Sequence, residues 1–102
     1  MRTELYATRF AALGHSARLE IFQTLVQSGS AGMAVGEIAS LLAMPASTLS
    51  FHLRELVRAE LVTQFKEGRS ISCQVNFEAL NDLLNFVKKD CCKGVKLPAF
   101  ST

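Results

Sequence analysis

Two adjacent cysteines near the end of the sequence, Cys91 and Cys92, carry the most reactive side chains of this chain. Thiolates are soft ligands that select soft, thiophilic centres, and two thiols can also be oxidised to a disulfide. The pair is therefore interpreted as a chelating site, as a redox switch or as two unreactive thiols. Cys73 alternates with Ile71 and Val75, which predicts a core-facing strand position.

The groups around the pair act in opposite directions on the thiol pKa. Asp90 and the end of a predicted helix disfavour the thiolate, whereas nearby positive charge favours it. The favourable charges are those of Lys88, Lys89, Lys93 and Lys96. Adjacent side chains on a helix diverge by about 100°, so chelation by both thiols is expected to unwind the last helical turn.

A second set of polar side chains lies in residues 46–69, where small hydroxyl groups precede basic residues. Short hydroxyl side chains let a helix approach base edges closely, and arginine and lysine reach phosphates. Each residue taken alone fits a solvated polar face, but their order along the chain favours DNA contact. The predicted DNA-binding residues are Ser47, Thr48, Ser50, His52, Arg54, Arg58, Lys66 and Arg69.

The elements that would position these residues follow from the hydrophobic spacing in residues 35–75. A short amphipathic run precedes a turn at Pro45, and a second run places Leu49 and Leu53 on one helix face. A strand–turn–strand follows, with the turn predicted at Glu67 and Gly68. The predicted fold is therefore mainly α with a β-hairpin wing, a winged helix-turn-helix whose second helix lies in a DNA major groove.

Three further helices complete the predicted domain. The first covers residues 3–13, the second begins at His15 or Ser16, and the last covers residues 77–92. Residues 28–32 read as the flexible linker. The positions of the last helix expected to face inward are Leu80, Leu83, Leu84 and Val87.

Length and composition indicate a single domain. The chain has 102 residues, a net charge of +2 and 49% hydrophobic residues. No apolar run approaches the ~18 residues that a membrane span needs. We expect a cytoplasmic protein with free thiols and no membrane partner, with residues 1–92 as the DNA-binding and dimerisation domain and residues 93–102 as a tail.

Two other classes of function compete with DNA binding. An enzyme would use Cys91 or Cys92 as nucleophile and His15 or His52 as base, but no oxyanion loop or Gly-rich cradle accompanies them. A winged helix that binds protein would be expected to have an apolar or acidic reading face. No second histidine or carboxylate lies at metal-ligand spacing in the sequence near either histidine, so a metal role for them is not expected.

Three segments, in order, resemble the signature motifs of the ArsR/SmtB repressors. They are the opening LGHSARLEIFQTL, the reading-helix segment STLSFHLREL and the wing LVTQFKEGRSISCQV. The resemblance covers roughly residues 9–92. The departures are small, with Ser16 where the family usually has proline and Glu60 where it usually has glycine.

This resemblance implies a homodimer joined through the first and last helices, which binds a pseudo-palindromic operator and is released by an inducer. The inducer sites common in the family are missing here. Residues 33–37 lack the cysteines of the arsenite and cadmium site on the third helix, and residues 77–92 lack the histidine of the zinc site on the last helix.

The Cys91–Cys92 pair resembles the site of some arsenic-responsive members, in which a third cysteine follows several residues later. Here residues 93–102 contain no cysteine. Arsenite has three exchangeable positions and is held best by three thiolates, whereas a monomethylated trivalent arsenical needs two. We therefore expect a trivalent arsenical, methylated or otherwise organic in preference to arsenite, as the effector. Cys73 is the only other candidate ligand, and no cofactor is expected beyond this effector.

Overall fold

Five α-helices, a short 3-10 helix (Gly29–Ala31) and three strands form the structure, a computed structural model in which residues 2–95 are described. The helices are α1 (Arg2–Leu13), α2 (Ser16–Ser28), α3 (Val35–Leu42), α4 (Ala46–Arg58) and α5 (Phe77–Lys88), and the strands are β1 (Met33–Ala34), β2 (Val62–Glu67) and β3 (Ser70–Val75). The predicted winged helix-turn-helix is confirmed. Of the predicted tail, residues 96–102, which include Lys96, lie outside the described part of the chain.

Short-range contacts set the helix ends. The Nδ1 atom of His15 accepts a hydrogen bond from the backbone N–H of Ala17 at 3.2 Å and caps α2. The Oδ1 atom of Asn76 accepts one from the N–H of Ala79 at 3.1 Å and caps α5. Each bond satisfies a backbone donor that the first helical turn leaves without a partner.

The sheet contains a strand that the sequence did not reveal. Strand β3 lies in the centre, with the hairpin partner β2 on one side and the two-residue strand β1 on the other. So short a strand has no readable periodicity. Gly32 makes it possible, because its φ is +71° and a Cβ there would lie 2.4 Å from the carbonyl oxygen of Cys73.

The turn of the hairpin lies one residue later than predicted. Glu67 pairs with Ser70 across the ladder, so the turn consists of Gly68 and Arg69 instead of Glu67 and Gly68. Gly68 has a φ of +64°, which glycine adopts at no steric cost. Arg69 is thereby placed at the tip of the wing.

The last helix ends earlier than predicted, at Lys88 instead of near Cys92. Asp90 and Cys92 have φ values of 58° and 65°, a left-handed conformation that cannot continue an α-helix. The prediction of which α5 residues face inward is also partly wrong. Leu83 is buried, but Leu84 and Val87 are 48% and 62% exposed in the single chain. The face that packs on α1 runs through Leu83 and Phe86 instead, and the Phe86 ring stacks on Tyr6 at 4.1 Å.

A buried arginine joins α1 to the end of α4. Arg9 is only 7% exposed, and its Nε atom donates a hydrogen bond to the carbonyl oxygen of Ala59 at 3.1 Å. Its Nη2 atom binds the Glu60 carboxylate at 3.0 Å. Glu60 has a φ of 63° at the position where the family usually has glycine, and the Nδ2 atom of Asn76 donates to its carbonyl oxygen at 3.1 Å. The glutamate at this position therefore supplies a carboxylate, which glycine lacks, as a partner for the buried charge of Arg9.

Replacing Arg9 tests this junction. We expect Arg9→Met to lower the free energy of unfolding by about 2–3 kcal/mol, because the Ala59 carbonyl loses its partner in a buried place. The same substitution at the exposed Arg58, whose pair with Glu55 is solvent-facing, should cost no more than about 0.5 kcal/mol. Urea unfolding of both variants at one protein concentration measures the difference, and equal losses would contradict the assignment.

Candidate DNA-binding surface and cysteine pair

Helix α4 is held on the core by one face and exposes the other. Leu49, Leu53 and Leu56 are at most 1% exposed. With 3.6 residues per turn, the positions between them point outward, and Ser47, Thr48, Ser50 and Arg54 are all exposed. The structure therefore presents four of the predicted DNA-binding residues on one surface.

The remaining basic residues of the prediction are also exposed. Arg58, at the end of α4, makes a 3.3 Å ion pair with Glu55 on the preceding turn. Lys66 lies near the end of β2, and Arg69 lies in the hairpin turn. The side chain of Glu67 accepts a hydrogen bond from the Ser72 hydroxyl at 2.8 Å, which ties the two strands together beside the turn. The wing thus carries two exposed positive charges near its tip.

His52 does not share this surface. It is 6% exposed and belongs to the inner side of α4, so a direct DNA contact does not fit its position. Its ring lies 4.8 Å from that of His15, although the two residues are far apart in the sequence. Burial first, and then the charges of His15 and Arg18, lower the pKa of His52 and favour the neutral ring. Its Nδ1 atom is buried and has no hydrogen-bond partner among the described residues.

The two histidines, which are not at metal-ligand spacing in the sequence, are thus brought together by the fold. Their proximity does not create a metal centre. Within residues 2–95 no group of three or more histidine, cysteine or carboxylate side chains is arranged to hold a metal ion. The ring of His15 is already engaged as the cap of α2. We therefore assign the pair to the packing of α4 on α2.

Phe51 is an exposed aromatic residue of α4 that was not among the predicted DNA-binding residues. Its side chain is 51% exposed, and its ring contacts that of His52 edge-on at 5.4 Å. Its spacing was the available signal, because a residue two positions from both Leu49 and Leu53 faces away from the core in a helix. A prediction of DNA-binding residues that considers only polar side chains leaves out an apolar residue at such a position.

Cys91 and Cys92 lie together in the turn after α5. Both are exposed, and their Sγ atoms are 3.1 Å apart. The expected unwinding of a last helical turn is therefore not needed, because Cys91 and Cys92 already lie outside the helix. The hydrogen bond with Cys92, followed by desolvation, raises the pKa of the Cys91 thiol. The Lys93 ammonium is 3.3 Å from the Asp90 carboxylate, so these two opposing charges largely offset each other beside the thiols.

Cys73 occupies a different environment. It is fully buried in β3, and the Gln64 amide nitrogen donates a hydrogen bond to its Sγ atom at 3.5 Å. Burial raises the pKa of this thiol, which the hydrogen bond from Gln64 only partly offsets. The predicted core-facing position is confirmed. A buried thiol that resists ionisation is a poor ligand for a centre brought from solvent.

Comparison with known proteins identifies the family. A family model described as a helix-turn-helix domain matches residues 13–64. The arsenical resistance operon repressor of Bacillus subtilis (strain 168) is 34% identical over 96 residues, which cover 85% of this chain and 90% of that protein. The chain belongs to the ArsR family of winged helix-turn-helix repressors.

Solved structures of ArsR-family and related regulators have the same fold. An ArsR-like transcriptional regulator from Rhodococcus sp. RHA1 is 26% identical, with a TM-score of 0.78 over 90% of this chain and 84% of the other. HlyU from Vibrio cholerae N16961 is 27% identical, with a TM-score of 0.70 over 85% of this chain and 95% of its own. This ArsR-family chain is thus a DNA-binding transcriptional repressor and not an enzyme. No helix within residues 2–95 is long and apolar enough to cross a membrane.

The environments of the three thiols predict how fast each reacts. In the native protein we expect iodoacetamide to modify Cys91 and Cys92 and to spare Cys73 until the protein unfolds, because only the first two are exposed. Replacing Cys92 by alanine should speed alkylation of Cys91 near neutral pH, since it removes the hydrogen bond that raises the Cys91 pKa. Mass spectrometry of timed samples gives both rates. Rapid native labelling of Cys73 would overturn the assignment.

Proposed function

We propose that this ArsR-family repressor is released from its operator by a trivalent arsenical bound at Cys91 and Cys92, and that a methylated or otherwise organic arsenical is favoured over arsenite. The observation that carries the proposal is the pair of exposed Sγ atoms 3.1 Å apart, with the remaining cysteine buried. The B. subtilis relative is named for arsenical resistance, which supports the class of effector.

The stoichiometry of the thiols supports the preference for an organic arsenical. A monomethylated arsenical carries one carbon and two exchangeable hydroxyl groups. Each thiol replaces one hydroxyl, so two As–S bonds form, two As–O bonds break, and the thiol protons leave with the hydroxyl groups as two waters. No electron is transferred. Arsenite would keep one hydroxyl at this site, because Cys73 is fully buried and its pKa is raised.

The DNA-binding surface proposed for the repressor consists of the reading helix α4 and the wing. The base edges and nearby phosphates are approached by the exposed residues of α4, which are Ser47, Thr48, Ser50 and Arg54. Arg58 lies along the same helix. Lys66 and Arg69 contact the backbone or minor groove from the wing. His52 is left out of the contact set, since it is buried and positions the helix.

The protein is proposed to act as a homodimer joined through α1 and α5. These helices expose apolar side chains that the single chain does not cover: Leu5 is 42% exposed, Leu84 48% and Val87 62%. Large exposed apolar side chains that lie close together mark interaction surfaces. A two-fold dimer presents two reading helices to a pseudo-palindromic site with half-sites about 34–36 Å apart.

Contacts within one chain connect the end of α5 with the reading helix. The Tyr6 hydroxyl on α1 donates a hydrogen bond to the Asp82 carboxylate on α5 at 2.7 Å, and its ring stacks on Phe86. Arg9, one turn later on α1, holds the carbonyl of Ala59 at the end of α4. A change at the end of α5 therefore reaches α4 through α1. A coupling of about 1–3 kcal/mol lowers operator affinity about 5–150-fold.

The DNA-binding surface is tested by charge removal on the wing. We expect Lys66→Ala with Arg69→Ala to weaken all DNA sequences similarly and to lower the salt slope of binding by about 0.9 for each phosphate that is no longer neutralised. Lys88→Ala with Lys89→Ala removes the same charge at the end of α5 and should leave both the affinity and the salt slope unchanged. Ser47→Leu or Ser50→Leu should damage specific binding more than non-specific binding. Fluorescence anisotropy at several salt concentrations measures these effects, and unaltered binding by all variants would refute the surface.

The effector is tested by titrating the DNA complex with methylarsenite and arsenite. We expect methylarsenite to release wild-type protein at lower concentration than arsenite. Cys91→Ser and Cys92→Ser should bind DNA normally and lose release, because each removes one of two required bonds. Cys73→Ser should keep release by methylarsenite. If Cys73→Ser instead abolishes a strong response to arsenite, Cys73 is a third ligand and the preference proposed here is wrong.

The same geometry supports one alternative effector. Two Sγ atoms 3.1 Å apart can be oxidised by a peroxide, which takes up two electrons while the disulfide forms. Adding peroxide to the DNA complex separates the two mechanisms. Release by peroxide but not by arsenicals makes the pair a redox switch. Zinc is expected to have no effect, since no group of three or more potential metal ligands exists in residues 2–95.

A further inference from the structure

Phe51 lies on the outermost line of the reading helix. Each helical residue turns the side chain by about 100°, so Phe51 points almost directly away from Leu49 and Leu53, which are 0% and 1% exposed. Ser47 precedes it by one turn and Arg54 follows it by nearly one turn, and both are exposed. The aromatic ring therefore lies in the middle of the polar surface proposed to face DNA.

The position of the Phe51 ring is constrained by its contact with His52. Its edge-on contact with His52 has a centroid distance of 5.4 Å and an interplanar angle of 65°. His52 is itself 6% exposed and packs against His15, the cap of α2. A ring held in this way loses little further conformational freedom when it is covered. About half of the Phe51 side chain is nevertheless left in contact with solvent.

We propose that Phe51 recognises thymine by packing its exposed ring against the 5-methyl group in the major groove. Thymine alone among the four bases displays a methyl group there, and an apolar side chain reads it by contact. The hydroxyls of Ser47 and Ser50 can donate a hydrogen bond to an acceptor or accept one from a donor, so they discriminate only modestly between bases. Phe51 supplies the discrimination that they lack. The inference rests on the proposed DNA-binding surface and adds its base preference.

The test removes the methyl group without changing a base-pair hydrogen bond. Wild-type protein first selects duplexes from a random pool, and each thymine of the selected duplex is then replaced by uracil. We expect one thymine in each half-site whose replacement weakens wild-type binding about fourfold per half-site, the factor that burial of one methyl group supplies. Phe51→Ala should bind the thymine and uracil duplexes equally, and Phe51→Leu should keep part of the preference.

Leu19→Ala is the matched control. Leu19 on α2 is also 51% exposed, and its loss should leave the full thymine preference in place. Circular dichroism of each variant checks the fold. The proposal is overturned if no thymine of the selected duplex is sensitive to uracil, or if Phe51→Ala keeps the sensitivity. Selection of no duplex at all by wild type would instead refute the proposed DNA-binding surface on which the inference rests.

Discussion

The Arg9 guanidinium is the group on which the arrangement of the helices depends. It is a charge buried at the meeting point of α1, the end of α4 and the start of the wing, and such a group is tolerated only when its hydrogen bonds are satisfied. The Ala59 carbonyl and the Glu60 carboxylate satisfy it. Because these partners lie directly after helix α4, this buried group links the orientation of α4 to that of α1.

The three thiols differ in their access to solvent because they lie in different parts of the fold. Cys73 is enclosed by the sheet and the core, and burial raises its pKa. Cys91 and Cys92 lie beyond the last helix in a turn with two left-handed non-glycine residues, where both sulfur atoms are exposed. Access to solvent, more than thiol ionisation, distinguishes the Cys91–Cys92 pair from Cys73, since the pKa of Cys91 is also raised.

Helix α4 is positioned by its inner face, and its outer face is the one proposed to contact DNA. Leu49, Leu53 and Leu56 anchor it, and His52 extends this inner face to α2 by its contact with His15. The helix backbone thereby holds the outward residues in place, and their polar groups and about half of the Phe51 side chain stay exposed for the proposed contacts with DNA. The turn that bears the thiols connects to this helix through α5, Tyr6 and Arg9.

The helix-turn-helix and the hairpin follow from the order of the amino acids alone, because the periodicity of Leu49, Leu53 and Leu56 and the turn residues are local signals. The outward position of the serines and the burial of Cys73 follow from the same periods. Three other features became visible only in the folded chain: His52 meets His15, Leu84 and Val87 are left uncovered, and β1 joins the sheet. They depend on which segments meet across long sequence distances, and a local pattern of residues does not specify these contacts.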